Sequence, residues 1–149
     1  MDVELKALIE HAIAQEELSH EFYKRLAQVV SHQDTKETLE FLAKEELEHK
    51  AFLQSCLTPG GCPLVGQPRD THLAEIFQTP AITEDLSPKE ALLIAMKREE
   101  GSYRFYERLA WMQPPGEAKD FLTKMAQMEL GHKEKAEYLY NNAAFPEVW

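Results

Sequence analysis

From residue 3 to about 31 the apolar positions recur at threes and fours. Leu5, Leu8, Ile9, Ala12, Leu26 and Val30 share one helical stripe, and Glu16, Ser19 and Tyr23 fall on it too. That period belongs to an amphipathic helix, and neither Gly nor Pro interrupts it. A second stripe, Leu39, Leu42, Glu46, His49 and Leu53, predicts a helix over 33–57. Thr58-Pro59-Gly60-Gly61 then stops it, because proline removes a backbone donor and glycine loosens the chain. Residues 58–87 carry Pro59, Pro63, Pro68 and Pro80, so they cannot form one long helix; Leu73, Ala74, Ile76 and Phe77 predict a short helical piece among them. A connection of this length suits a crossover running along a bundle, not a tight hairpin.

Ser87-Pro88-Lys89-Glu90 reads as a helix start: a capping hydroxyl, a proline where no donor is needed, and a glutamate three residues after the cap. The third helix is expected over 88–112 and the fourth over 117–141, with Pro114-Pro115-Gly116 turning the chain between them. Short turns after the first and third helices make two antiparallel hairpins. Each hairpin presents a stripe that must be covered. The expected fold is therefore all-α, one domain over 1–149, a four-helix bundle with a long crossover between helices two and three.

The two hairpins are copies of each other. Ala12–Ala27, AIAQEELSHEFYKRLA, aligns without a gap with Ala95–Ala110, AMKREEGSYRFYERLA, and nine of the sixteen positions are identical. KETLEFLAKEELEHK from Lys36 aligns with KDFLTKMAQMELGHK from Lys119 at the same offset of 83. An unbroken register over both segments marks an internal repeat. Under this offset Glu16 matches Glu99, Glu46 matches Glu129, and His49 matches His132.

Those six residues lie on stripes that face inward. A glutamate turned into a core costs several kcal/mol if it stays charged and unpaired. Four converging glutamates would repel one another, and a pair of divalent cations neutralises them with good geometry. The donor set is specific. Glu46-x-x-His49 and Glu129-x-x-His132 each put a carboxylate and an imidazole about one turn apart on one face. Glu16 and Glu99 add one carboxylate from each remaining helix. Four carboxylates and two imidazoles suit di-iron or di-manganese bundles. Glu46 and Glu129 are expected to bridge the ions, with Glu16 and Glu99 binding one ion each from outside and His49 and His132 completing one ion each.

Tyr23 and Tyr106 stand seven residues beyond Glu16 and Glu99, ~10.5 Å along the axis. Helical side chains lean toward the N-terminus, so each hydroxyl points back toward the ligands, where it can hydrogen-bond a carboxylate from behind. The competing reading is ordinary core aromatics. His20, Glu17, Glu100 and Glu45 read as seam or surface groups, and His11, His32 and His72 have no matched partners and no assigned role. Cys56 and Cys62 lie in CLTPGGC, a spacing that does not favour zinc or an iron–sulfur cluster. Two reduced thiols near a helix end is the leading reading; a disulfide or a redox role are the others.

Composition narrows the setting. Hydrophobic residues at 44% and charged residues at 28% are ordinary for a folded domain. Lys and Arg number 16 against 26 Asp and Glu, a formal charge of −10 that repels phosphate backbones and argues against nucleic acid as a partner. No stretch approaches the ~20 apolar residues of a membrane span. The start, MDVELKAL, lacks the basic-then-apolar order of a signal peptide, so a cytoplasmic protein is expected.

At the repeated residues the chain resembles the rubrerythrin-like branch of the ferritin-like di-iron carboxylate superfamily. AxxxExxxxxxY begins at Ala12 and again at Ala95, and Glu46-x-x-His49 and Glu129-x-x-His132 follow. The resemblance covers nearly the whole chain except the crossover. It implies a ferritin-like bundle, two iron ions with manganese or zinc as substitutes, O2 or hydrogen peroxide as oxidant, and a homodimer. The terminal AAFPEVW is a candidate for docking on the bundle or on a second subunit. Rubrerythrins also carry a rubredoxin-like domain with two pairs of iron-binding cysteines, which two cysteines in total cannot supply. Electrons would then come from a separate small electron-carrier protein. Rubrerythrins carry an additional carboxylate one turn past the ligand of the third helix; here Ser102 holds that place, matched by Ser19.

The expected function is a di-iron oxidoreductase with ferroxidase or peroxide-reducing activity. The alternative is a non-catalytic iron or manganese protein: a carrier, a store or a sensor. Oxygenase chemistry, which needs a channel to the metals, and a purely structural bundle are the remaining readings.

Overall fold

The computed structural model describes residues 3–58, 68–70 and 72–144. Four helices carry it: α1 (Val3–Val29), α2 (Gln33–Ser55), α3 (Pro88–Met112) and α4 (Glu117–Ala144). Helix α3 starts on a capping box: the Ser87 hydroxyl accepts from the Glu90 N–H at 3.1 Å, and the Glu90 carboxylate accepts from the Ser87 N–H at 3.1 Å. Helix α2 ends at Ser55, two residues before position 57, because its last turn tightens. The N–H groups of Cys56, Leu57 and Thr58 donate three residues back, to Leu53, Gln54 and Ser55.

Side-chain contacts set the directions. His20 Nδ1 meets the Ala43 carbonyl at 2.8 Å, and Lys50 pairs with Glu17, so α1 and α2 run antiparallel. His49 stacks on His132 while Lys135 reaches back to Glu45, so α2 and α4 are antiparallel as well. The short turn between α3 and α4 makes that pair antiparallel too. Helices α2 and α3 are therefore parallel, and the chain must return along the whole bundle between them.

Two sets of bonds hold that return path. Near its middle the Lys133 ammonium, fully buried, contacts Asp70 and pairs with Glu75 at 2.9 Å and Glu137 at 3.4 Å. The Ala74 N–H donates to Glu137 at 3.0 Å, and the Arg69 N–H donates to Glu134 at 2.6 Å. A single 3-10 turn, Ala74–Ile76, buries Ala74 here and leaves Ile76 exposed. At its end the Glu84 carbonyl accepts from Ser31, and the Leu86 carbonyl accepts from the buried Thr35 hydroxyl at 2.7 Å. Asp70, Glu75 and Lys133 are thus structural groups that periodicity along single helices does not single out.

The core falls into two apolar clusters. One includes Tyr23, Leu26, Leu39, Leu42, Leu92 and Ala95. The other includes Ile9, Ala12, Leu53, Tyr106, Leu122 and Met125. Position 16 falls between 12 and 23, position 46 between 42 and 53, and positions 99 and 129 are bracketed alike, so a polar layer divides the two. This is a ferritin-like four-helix bundle. Among the described residues, no helix is long and apolar enough to cross a membrane.

One expectation is corrected. Cys56 is buried and disulfide-bonded, not a reduced thiol. Its position at the tightened end of α2 removes it from solvent. Cys62 lies outside the described residues, as do Pro59, Gly60, Gly61, Pro63 and the end of the tail from Phe145.

Lys50 and Lys133 occupy equivalent repeat positions, yet only Lys133 is fully buried. Burial without its cation would leave carboxylates with less compensation. Lys133→Met should therefore lower stability to urea by about 2–3 kcal/mol, whereas Lys50→Met should leave the urea midpoint nearly unchanged. Equal shifts in the two variants would contradict this account of the crossover anchor.

Candidate metal centre

Each hairpin builds half of a polar layer. In the first, His49 Nδ1 stands 3.5 Å from Glu16 and 3.7 Å from Glu46. In the second, His132 Nδ1 stands 3.6 Å from Glu99 and 3.7 Å from Glu129. The three-residue spacing of each ExxH places its two side chains on one helical face, and the partner helix brings the remaining glutamate across. All four glutamates are buried. The two imidazoles join the halves, their rings stacked with centroids 3.3 Å apart and planes within 7°.

The donors suit metal ions. Both His49 Nδ1 and His132 Nδ1 are buried without a hydrogen-bond partner. A buried, unpaired polar atom is costly, and a cation on each ring nitrogen would remove the cost. Donor atoms of Glu16, His49 and His132 lie within 4.8 Å of one another, as do those of Glu99, Glu129 and His132. The residues present therefore fit two divalent cations.

Without cations, protons must do the neutralising. Burial, with the nearby Glu16 and Glu99 charges, pushes the Glu46 carboxyl up to about 10. Burial and the charge of Glu99 push Glu129 well above the usual range too. Burial pushes in the same direction on Glu99, but the close approach of Glu129 and of the His132 and His49 imidazoles outweighs it and brings that group down to about 2. Glu16 is likewise lowered: burial opposes, and the close approach of His49, Glu46 and Glu129 prevails. Burial works against the charged form of His49, yet Glu16 and Glu46 raise it to about 10. The four carboxyls thus divide into two that hold a proton more tightly than usual and two that release it more readily, the direction mutual repulsion in a low dielectric favours.

The surroundings of the layer are unequal. Between α1 and α3 a cavity of about 470 Å³ reaches the ligand carboxylates and is lined also by Arg98, Ser19, Ser102 and Phe105. On the opposite side, between α2 and α4, only about 30 Å³ remains beside His49 and His132. There Glu45 approaches His49 Nε2 at 4.0 Å and is held by Lys135 at 2.6 Å, with the ammonium over Phe41. By its spacing Glu45 is a seam acid; Lys135, on another helix, holds it beside His49. Tyr23 and Tyr106 line the larger cavity, and burial raises both phenols, so they stay protonated. Among the described hydrogen bonds none joins either hydroxyl to a ligand carboxylate. Glu17 pairs with Lys50 and Glu100 with Lys97, outside the layer. His11 lines the cavity mouth, His32 faces Asp85 at 3.8 Å, and His72 sits in the left-handed region at φ 57° beside Asp70 and Glu75. Asp70, His72 and Glu75 form a third donor group, but Lys133 already supplies its cation.

The raised groups give a pH signature. A carboxyl or imidazole that binds its proton more tightly when folded stabilises the fold at low pH and loses that contribution as pH rises toward the folded value. For His49 the loss runs from about 6.5 to about 10, and for Glu46 from about 4.5 to about 10. The melting temperature of metal-free protein should therefore fall between pH 6 and pH 9. Zinc binding, which displaces these protons, should raise it by an amount that grows over the same range. A zinc effect independent of pH would contradict the proton assignment.

Comparison with known proteins agrees with this architecture. A family model described as Rubrerythrin matches residues 7–140. A solved structure titled as a hypothetical protein from Pyrococcus furiosus is similar at 29% identity, with a TM-score of 0.52, covering 97% of this chain and 93% of that one. No curated protein matches the chain. The family match and the donor groups together support di-iron oxidoreductase chemistry in general. With its repeated Glu and His donors and its crossover bundle, the chain belongs to the rubrerythrin family.

Proposed function

We propose that this protein is a di-iron oxidoreductase that reduces O2 or hydrogen peroxide with electrons delivered by a separate carrier protein. The observation that supports it is the convergence of six matched donors around two buried, unpartnered imidazole nitrogens. Glu16, Glu46 and His49 would hold one ion and Glu99, Glu129 and His132 the other. Two bound ferrous ions would together supply the two electrons that reduction of the oxidant requires.

The chain's own residues supply the rest. The four buried carboxylates would offset the rise in positive charge on oxidation. On the carboxylate side the cavity between α1 and α3 admits oxidant, and water there can deliver the two protons that peroxide reduction to water consumes. On the imidazole side, Leu42, Phe41 and the Glu45–Lys135 pair exclude solvent and restrain His49. Tyr23 and Tyr106 remain neutral walls of the cavity.

The decisive experiment loads the protein with Fe²⁺ in the absence of oxygen, measures metal content, and then mixes in O2 or hydrogen peroxide. Two irons per chain and rapid stoichiometric oxidation are expected. Iron retained without oxidation would leave carriage, storage or sensing as the function. Glu46→Ala and Glu129→Ala should each abolish two-ion binding, while Glu17→Ala should retain it. Equal stoichiometry in all three variants would refute the ligand assignment.

A further inference from the structure

The cavity between α1 and α3 holds more than a route for a diatomic oxidant. Its volume, about 470 Å³, lies in the range of small-molecule sites. Where the two halves of the repeat agree, both copies line the cavity: Ser19 with its counterpart Ser102, and Tyr23 with its counterpart Tyr106. Where they disagree, α3 is changed in two ways. Arg98 stands in place of Gln15, and Gly101 in place of Leu18.

Arg98 is held but not neutralised. Its guanidinium stacks on Phe22 at 3.9 Å and one Nη donates to the Ser19 hydroxyl at 3.2 Å, while Nε is buried without a partner. Among the described residues it forms no ion pair. Gly101 lies in the middle of α3, where glycine weakens a helix. No turn requires it, and a Cβ added there would meet nothing within 4 Å. The space a side chain would fill belongs to the cavity. A fixed cation, a neighbouring hydroxyl, an aromatic wall from Phe105 and a side chain's worth of open room form a set that recognises an anion with an apolar body.

We propose that this cavity is a binding site for a small organic carboxylate, with its anionic end on Arg98 and Ser19 and its body along Phe105 and the gap at Gly101. The inference rests on the two-ion reading of the polar layer. Two divalent cations cancel the four glutamates, so an incoming anion meets a neutral floor and one positive wall.

The test uses protein loaded with Zn²⁺, which restores the charge without redox chemistry, and benzoate as the probe in isothermal titration calorimetry. Saturable binding of one benzoate per chain is expected, weakened at least tenfold in Arg98→Met, in Gly101→Leu and in the metal-free protein. Each variant's zinc content and thermal melt are measured alongside. Gly101→Leu replaces a helix-weakening residue at an open position, so it keeps the fold even if Arg98→Met does not. Two zinc ions bound without benzoate affinity, or equal affinity in folded variants and parent, would overturn this inference alone. Sulfate binding as tightly as benzoate would overturn the organic class. Failure of the parent protein to take two zinc ions would overturn the metal reading and this one together.

Discussion

Four glutamates buried around one point are the constraint that organises this molecule. Taken from water as anions, they would each lack solvation and would repel one another through a medium that screens poorly. The bundle tolerates them because compensation is built in at the same depth. Two imidazoles face them, two of the carboxyls keep protons when cations are absent, and the whole set has the donor chemistry of a two-ion site. The apolar clusters on either side then supply the cohesion that the polar layer cannot.

Duplication explains how such a layer forms from ordinary helices. One hairpin supplies two glutamates and a histidine, and its copy supplies the same three. Pairing the copies face to face brings the histidines into a stack and the carboxylates together. That pairing makes α2 and α3 parallel, which forces the long crossover, and the crossover in turn needs its own anchor. Lys133 provides it by drawing Asp70 and Glu75 onto α4, while its counterpart Lys50 simply joins α2 to Glu17.

Departures from the repeat give the site its sides. The Glu45–Lys135 pair closes the imidazole face, and neither residue has a counterpart of its own type at the offset position. Arg98 and Gly101 stand on the opposite face where the first half has Gln15 and Leu18, and both line the larger cavity. The rubrerythrin family supplies the general chemistry; these unpaired positions give this chain its particular cavity.

Much of this was legible without coordinates. The helical period, the capped start at Ser87, the proline-broken crossover and the repeated Glu16, Glu46 and His49 all depend on spacing along the chain, because helix geometry turns a fixed spacing into a shared face. Spacing could not give the contacts between faces. Glu45 reads as a seam acid until Lys135 is seen beside it, Lys133 reads as a surface lysine until the crossover folds over it, and Arg98 shows nothing until Phe22 and Ser19 hold it at a cavity. The disulfide at Cys56 belongs with these, since two cysteines six residues apart are compatible with either state. Local periodicity determined which residues turn inward; the rotation and separation of whole helices, set by packing across the bundle, decided what each of them meets there.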